Sequence, residues 1–168
     1  ALPSNRMRFA WIMNIKTNQI ALQIHCGSRG FGHQVCSDYV SEFQNFIRKY
    51  KINLPDRELV YAPLDSKEGQ DYYKAMQAAA NFAFANRQVL TYFARESFEK
   101  IFRSLKKDTN LKLVYDITHN IAKVEEHLID DKMKKVIIHR KGATRAFGPN
   151  ILQHPIYGKI GQPVLVPG

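Results

Sequence analysis

The run Ile24-His25-Cys26-Gly27-Ser28-Arg29-Gly30-Phe31-Gly32-His33-Gln34 gathers a metal-capable imidazole, a phosphate-capable guanidinium and three glycines. Strand-end side chains and helix N-terminal amides can converge on an anion at such a place. Small neighbours at Gly27 and Gly30 let the Arg29 guanidinium approach a phosphate and bind it with two hydrogen bonds. Two further islands repeat the chemistry: Asp116-Ile117-Thr118-His119-Asn120, and the basic run from His139 to Pro149 with Arg140, Lys141 and Arg145. Together they point to a metal-assisted site for phosphates.

Each feature also has a purely structural reading. A glycine cluster suits a tight turn that needs positive φ. A histidine at a strand end is often a core residue, and a basic loop is often only solvated. His25 and His119 share the same placement, which raises the ligand reading for both. Two imidazoles do not complete a metal site, since three or more protein ligands are usual. Asp116 is a poor third ligand, because a regular strand turns it to the face opposite His119. His33, His127, His139 and His154 have no special context. No Walker loop, dinucleotide fingerprint, H-E-x-x-H motif or Ser-His-Asp arrangement is present.

Elements must position these residues. Phe9, Trp11, Ile12 and Ile15 suit a strand or a helical turn. Ile20, Leu22 and Ile24 alternate as a strand. After Gly32 the period becomes helical through Val35, Tyr39, Phe43, Phe46, Ile47 and Tyr50, ending near Lys51. A capping-box spacing at Asp65 and Glu68 predicts a second helix reaching about Arg103, with a break near Asn86 or Ser97 if it is two helices. Its small residues Ala78, Ala79 and Ala80 allow close helix packing. Residues 104–110 form a polar connection. Leu111, Leu113, Tyr115 and Ile117 alternate as a strand delivering His119 and Asn120. Ile121 to Leu128 suits one or two helical turns, Asp130-Asp131-Lys132 a hairpin turn, Val136 to Ile138 a strand running into the basic loop, and Val164 to Val166 a short strand.

The composition sets bounds. The chain has 168 residues, enough for one domain with a core, and 45% of them are apolar. Lys and Arg total 25 against 15 acids, a net charge of +10 that favours a polyanionic partner, nucleic acid being the usual one. Cys26 and Cys36 fit no disulfide framework or zinc knuckle, so a reduced, cytoplasmic setting is expected, or the nucleus in a eukaryote. No apolar run approaches a membrane span. The start, without Met or a signal peptide, reads as the cut edge of something longer.

At these islands the sequence resembles the RtcB family of RNA ligases. The resemblance also runs through Pro55-Asp56-Arg57-Glu58-Leu59, Glu68-Gly69-Gln70, Phe84-Ala85-Asn86-Arg87, Ile121 to Glu125 and Gly161-Gln162-Pro163-Val164. It is collinear over roughly residues 20–168, and it divides the chain into a poorly matching segment, 1–18, and a partial ligase domain, 19–168. It implies a mixed α/β (α+β) fold, long helices packed on β-sheets. It implies a GTP- and Mn²⁺-dependent enzyme that joins an RNA 3′-phosphate, or an opened 2′,3′-cyclic phosphate, to a 5′-hydroxyl in tRNA splicing and RNA repair. In such enzymes a histidine is guanylylated, GMP moves to the 3′-phosphate, and the 5′-hydroxyl expels it.

Carried over by position, the resemblance makes His25 and His119 manganese ligands. His119 and Asn120 lie at the nucleotide, and Pro167 and Gly168 begin a guanylate-contacting turn. Arg29 and Asn120 lie at the RNA phosphate, with Lys141 and Arg145 in the basic loop. The upstream Asp and Cys metal ligands, the Asn-His segment and the His-Gly-Ala-Gly-Arg segment of the guanylylated histidine have no counterpart here, and Cys26 stands where Ser or Thr is common. The resemblance therefore implies no nucleophile in this chain, which alone is expected to be inactive. Tied RNA partners are tRNA halves, alongside activating or ligase-complex proteins and no membrane. The competing expectations are a non-catalytic basic RNA-binding remnant or subunit needing a partner chain, and, more weakly, a metal-dependent phosphoesterase.

Overall fold

Two antiparallel pairs of strands and two long helices make up the ordered frame. In this computed structural model the described residues are 8–14, 19–103, 111–151, 155, 157–162 and 164. They divide into two compact units, residues 1–112 and 113–168. The fold is mixed α+β, as expected.

The first unit opens with β1 (Arg8–Asn14) and β2 (Gln19–His25), paired antiparallel from Arg8↔His25 to Asn14↔Gln19. Of the ambiguous early stretch, Phe9, Trp11 and Ile12 thus lie in a strand, while Ile15 lies outside the described residues. α1 (Arg29–Lys49) follows after a short turn, running straight through Gly30 and Gly32. A β-carbon on Gly32 would lie 3.7 Å from the Ala79 Cβ and would collide with the Ser28 hydroxyl. Glycine there makes room for the Ser28 hydroxyl, whereas Ala79 would be only in ordinary contact. The next helix, α2 (Lys67–Phe102), contains 36 residues and so runs about 54 Å. Phe43 and Ile47 of α1 and Ala79, Ala83 and Phe98 of α2 are buried. Tyr72 meets Tyr39 and Phe43 with ring centroids 5.2 and 5.5 Å apart. The expected apolar stripes are thus core only in part: Tyr50 at the end of α1 and Phe82 and Phe93 of α2 stay exposed.

The expected capping box at Asp65 and Glu68 is displaced by one residue. Ser66 is the N-cap; its hydroxyl accepts the Gly69 N–H at 3.0 Å and donates to the Pro63 carbonyl at 2.6 Å. The reason is steric. The Pro63 carbonyl packs into the space a side chain at position 69 would fill, so the third helical position must be glycine and Glu68 becomes a first-turn acid at the positive end of the helix dipole. α2 is one helix without a break. Asn86 directs its amide away from its own backbone, and the Ser97 hydroxyl donates to the Phe93 carbonyl at 2.8 Å while the helix continues.

The second unit departs more from expectation. Residues 111–118 form no strand, although they alternate. Leu113 and Val114 are 64% and 67% exposed, and no strand among the described residues ladders with them. Conversely, residues 121–128 are not helical. They belong to β3 (Asn120–Ile129), paired antiparallel with β4 (Lys132–Lys141) over the full register from Asn120↔Lys141 to Ile129↔Lys132. Ala122, Lys123, Glu125, Glu126 and Leu128 are adequate helix formers, but the turn decides. Asp130 and Asp131 sit at φ 52° and 58°, the two left-handed residues of a tight hairpin. Past β4, Phe147 bridges to Gln162 just beyond the short α3 (Tyr157–Ile160). The expected connection at 104–110 and most of the expected strand at 164–166 lie outside the described residues. No helix among the described residues is long and apolar enough to cross a membrane.

Gly69→Ala should destabilise the first unit by about 1–3 kcal/mol, since its β-carbon would press on backbone rather than on a mobile side chain. Thermal unfolding followed by circular dichroism checks this; a melting temperature equal to that of the unvaried chain would show that the Pro63 turn yields freely.

Candidate functional site

His25 closes β2 and is half-buried. Cys26 follows, buried, and a clamp from α2 fixes it. The Asn86 side-chain amide donates to Cys26 Sγ at 3.2 Å and to the Gly27 carbonyl at 2.9 Å. Arg87, a buried cation, donates from Nη1 to the Cys26 carbonyl at 3.2 Å and lies 4.5 Å over the Phe84 ring. Both cysteines are free thiols, Cys36 being exposed on α1.

The turn held by this clamp carries Arg29 at φ 55°. Left-handed backbone is unfavourable for a side chain with a β-carbon. A tight turn that places its glycines at positive φ is therefore not what forms here: the positive φ falls on the arginine. Nor does packing demand either glycine, because a β-carbon on Gly27 or Gly30 would meet nothing within 4 Å. A strained arginine thus stands between two glycines beside open space, and strain of this kind collects at ligand sites.

In the second unit, His119 directly precedes β3 and is half-buried. Its carbonyl accepts the Ala143 N–H at 3.1 Å, and Asn120 Oδ1 accepts the Gly142 N–H at 2.9 Å. The start of β3 thereby ties down the loop after β4, where Gly142 takes φ 63°. Lys141 is exposed, directly across from Asn120 in register. Arg145 lies 5.4 Å over Phe147.

The basic loop does not lack acid, as its local sequence suggests. Glu125 pairs in register with Val136, so it shares a sheet face with Ile138 and Arg140. Its carboxylate receives Arg140 through two hydrogen bonds, Nη1 to Oε1 at 2.7 Å and Nη2 to Oε2 at 2.9 Å. His127 Nε2 lies 3.2 Å from Oε2, and Arg145 Nη1 lies 3.9 Å from Oε1. Above all the Arg140 hydrogen bonds, then His127 and the charges of Arg140 and Arg145, lower the Glu125 pKa from 4.5 to about 2. Arg140 is thus a neutralised cation, while Arg145 and Lys141 keep more of their charge available.

The turn after β2 joins His25 and Arg29; the start of β3 and the end of β4 join His119, Asn120, Lys141 and, through the loop, Arg145. Among the described residues no three His, Cys, Asp or Glu side chains cluster as a metal cage. Pro167, Gly168 and His154 lie outside the described residues. His33 and His139 are exposed. Sequence spacing missed Asn86 and Arg87, because their partners are 59 to 61 residues away. It also missed Glu125, which hairpin register from the Asp-Asp turn would have placed on the same sheet face as Arg140.

The family described as tRNA-splicing ligase RtcB matches residues 5–168. The chain belongs to the RtcB family. Among relatives named tRNA-splicing ligase RtcB, it is 52% identical over 155 residues to that of Methanococcus maripaludis, covering 92% of this chain and 32% of the relative. It is 57% identical over 152 residues to that of Nanoarchaeum equitans, covering 90% of this chain and 31% of the relative. It is 54% identical over 160 residues to that of Pyrococcus abyssi, covering 95% of this chain and 18% of the relative. The chain therefore spans about a third or less of the length of these relatives.

Glu125 binds its proton more weakly in the folded hairpin than unfolded, so acidification favours the unfolded chain. Its contribution should be complete above about pH 4.5 and be lost as the pH falls through about 2. Carboxyl-resolved NMR titration should find a Glu125 midpoint near 2, absent in Glu125→Gln; an ordinary glutamate midpoint would mean that the Arg140 pair does not persist in solution.

Proposed function

We propose that this chain is part of the catalytic core of a GTP- and Mn²⁺-dependent RNA ligase, which joins RNA 3′-phosphate or 2′,3′-cyclic phosphate ends to 5′-hydroxyl ends during tRNA splicing and repair, in the cytoplasm. Membership in the RtcB family supports the class. The observation that carries the site is Arg29, in left-handed backbone between Gly27 and Gly30, just after the Cys26 and Gly27 carbonyls that Arg87 and Asn86 hold. A guanidinium carried on a held backbone can reach a terminal phosphate with part of the positioning already done. Lys141 and Arg145 serve as general contacts to backbone phosphates. Asn120 has its Oδ1 committed to Gly142, which leaves its amide N–H groups to face a phosphate or nucleotide.

His25 and His119 would hold manganese. The donor set fits in part, since imidazole ligates the ion and harder oxygen ligands must complete it. Manganese when bound offsets phosphate charge and polarises the phosphoryl group. GTP would lie against His119, Asn120, Pro167 and Gly168. The RNA partners are tRNA halves, and activating or ligase-complex proteins are further partners. The alternative, a non-catalytic RNA-binding chain needing a partner, draws on the same basic surfaces.

Two measurements separate these readings. Binding to single-stranded RNA should fall with salt at a log–log slope of about −0.7 per phosphate contact, and Arg29→Ala should weaken 3′-phosphate ends about tenfold more than 3′-hydroxyl ends, as expected for a lost charge-assisted pair. Equal losses on both ends would remove the terminal-phosphate role of Arg29. With radiolabelled GTP and Mn²⁺, the chain alone should form no acid-labile covalent band; a labelled band would assign guanylylation to one of its six histidines and overturn the inactive-alone reading.

A further inference from the structure

Beside the Arg29 turn, the first unit leaves an aromatic pair at its surface. Phe31, two residues after Arg29, meets Phe82 of α2 edge-on, with centroids 5.6 Å apart and planes at 68°. Phe31 is 44% exposed and Phe82 47%. Edge-on rings do not stack on each other, which leaves ring face for a third flat group. Phe82 lies one helical turn before Asn86, on the same side of α2, and Asn86 holds the Gly27 carbonyl at 2.9 Å. The pair therefore borders the turn whose two glycines face open space.

A nucleotide presents both chemistries that this arrangement offers, a phosphate and, a short distance away, a flat base. Resting on the ligase reading above, we propose that Phe31 and Phe82 form a stacking platform for the unpaired base of the RNA terminal nucleotide whose phosphate Arg29 holds. Charge favours this occupant: the chain carries +10, and the exposed neighbours of Phe31 on α1 are Gly30, His33 and Gln34 rather than further apolar side chains. Every base has a π face, so the platform holds a single-stranded end without choosing its sequence. Val89, Tyr92 and Phe93 are also exposed, further along α2, and take no part.

The test uses the whole chain and fluorescence anisotropy with single-stranded RNA ending in a 3′-phosphate, its terminal nucleotide either natural or abasic. Phe31→Ala should weaken binding of the natural end about tenfold, within the range of base–aromatic stacking, and leave the abasic end unchanged. Phe31→Leu, which keeps an apolar contact with Phe82, should do the same, and Phe93→Ala should change neither. If both Phe31 variants weaken the two ends equally, or neither end, or if the unvaried chain does not distinguish a natural end from an abasic one, the platform is overturned. A lowered melting temperature with unchanged RNA binding would assign the rings to protein packing and likewise overturn it. The 3′-phosphate against 3′-hydroxyl comparison at Arg29, made on the same RNAs, reports the ligase reading separately.

Discussion

One anchoring interaction governs the first unit: the hold that Asn86 and Arg87 exert on the backbone of Cys26 and Gly27. A turn between a strand and a helix is ordinarily free to settle into its easiest conformation. Here two carbonyls and a thiol are fixed from a helix some sixty residues away. That helix is itself fixed at its start by the Ser66 cap and the Pro63–Gly69 contact, and along its length by packing against α1. The rigid element therefore imposes its geometry on the short one, and the unfavourable φ of Arg29 persists because everything around it is determined elsewhere. The arrangement suits a site on a loop, where a stiff scaffold must supply the order that the loop lacks.

The second unit solves a different problem. A two-stranded hairpin is marginal by itself, and this one carries many lysines and arginines. Glu125, 10% exposed at its side chain, gathers Arg140 firmly and Arg145 and His127 more loosely. One carboxylate thereby relieves repulsion among several cations and sets which of them remains available to an anion. Asn120 works on the backbone in a similar way, closing the loop after β4 through Gly142.

Sequence patterns were most legible where one periodicity met one environment. The alternation of Ile20, Leu22 and Ile24 and the helical stripe from Val35 to Tyr50 correspond to β2 and α1, and Asp130-Asp131 marks the hairpin turn. The RtcB resemblance was legible because its motifs are long and collinear. Failures came where a distant partner decided. Leu111 to Ile117 alternates without a ladder to join, and Ile121 to Leu128, acceptable as a helix, is captured by β4. Ser66 takes the cap from Asp65 because Gly69 must sit under Pro63. At the candidate site, composition could name Arg29 and the histidines but not the Asn86 and Arg87 clamp, nor the acid that neutralises Arg140. Those depend on contacts across tens of residues, which local spacing does not encode.

The left-handed backbone at Arg29 has a consequence for how this position can change over time. Left-handed geometry costs an ordinary residue roughly 1–2 kcal/mol, a cost that glycine escapes. For the backbone torsion alone, then, arginine is a poor occupant, and glycine would relieve that cost. Under the proposed phosphate-binding role, backbone torsion and ligand binding would pull this single position in opposite directions.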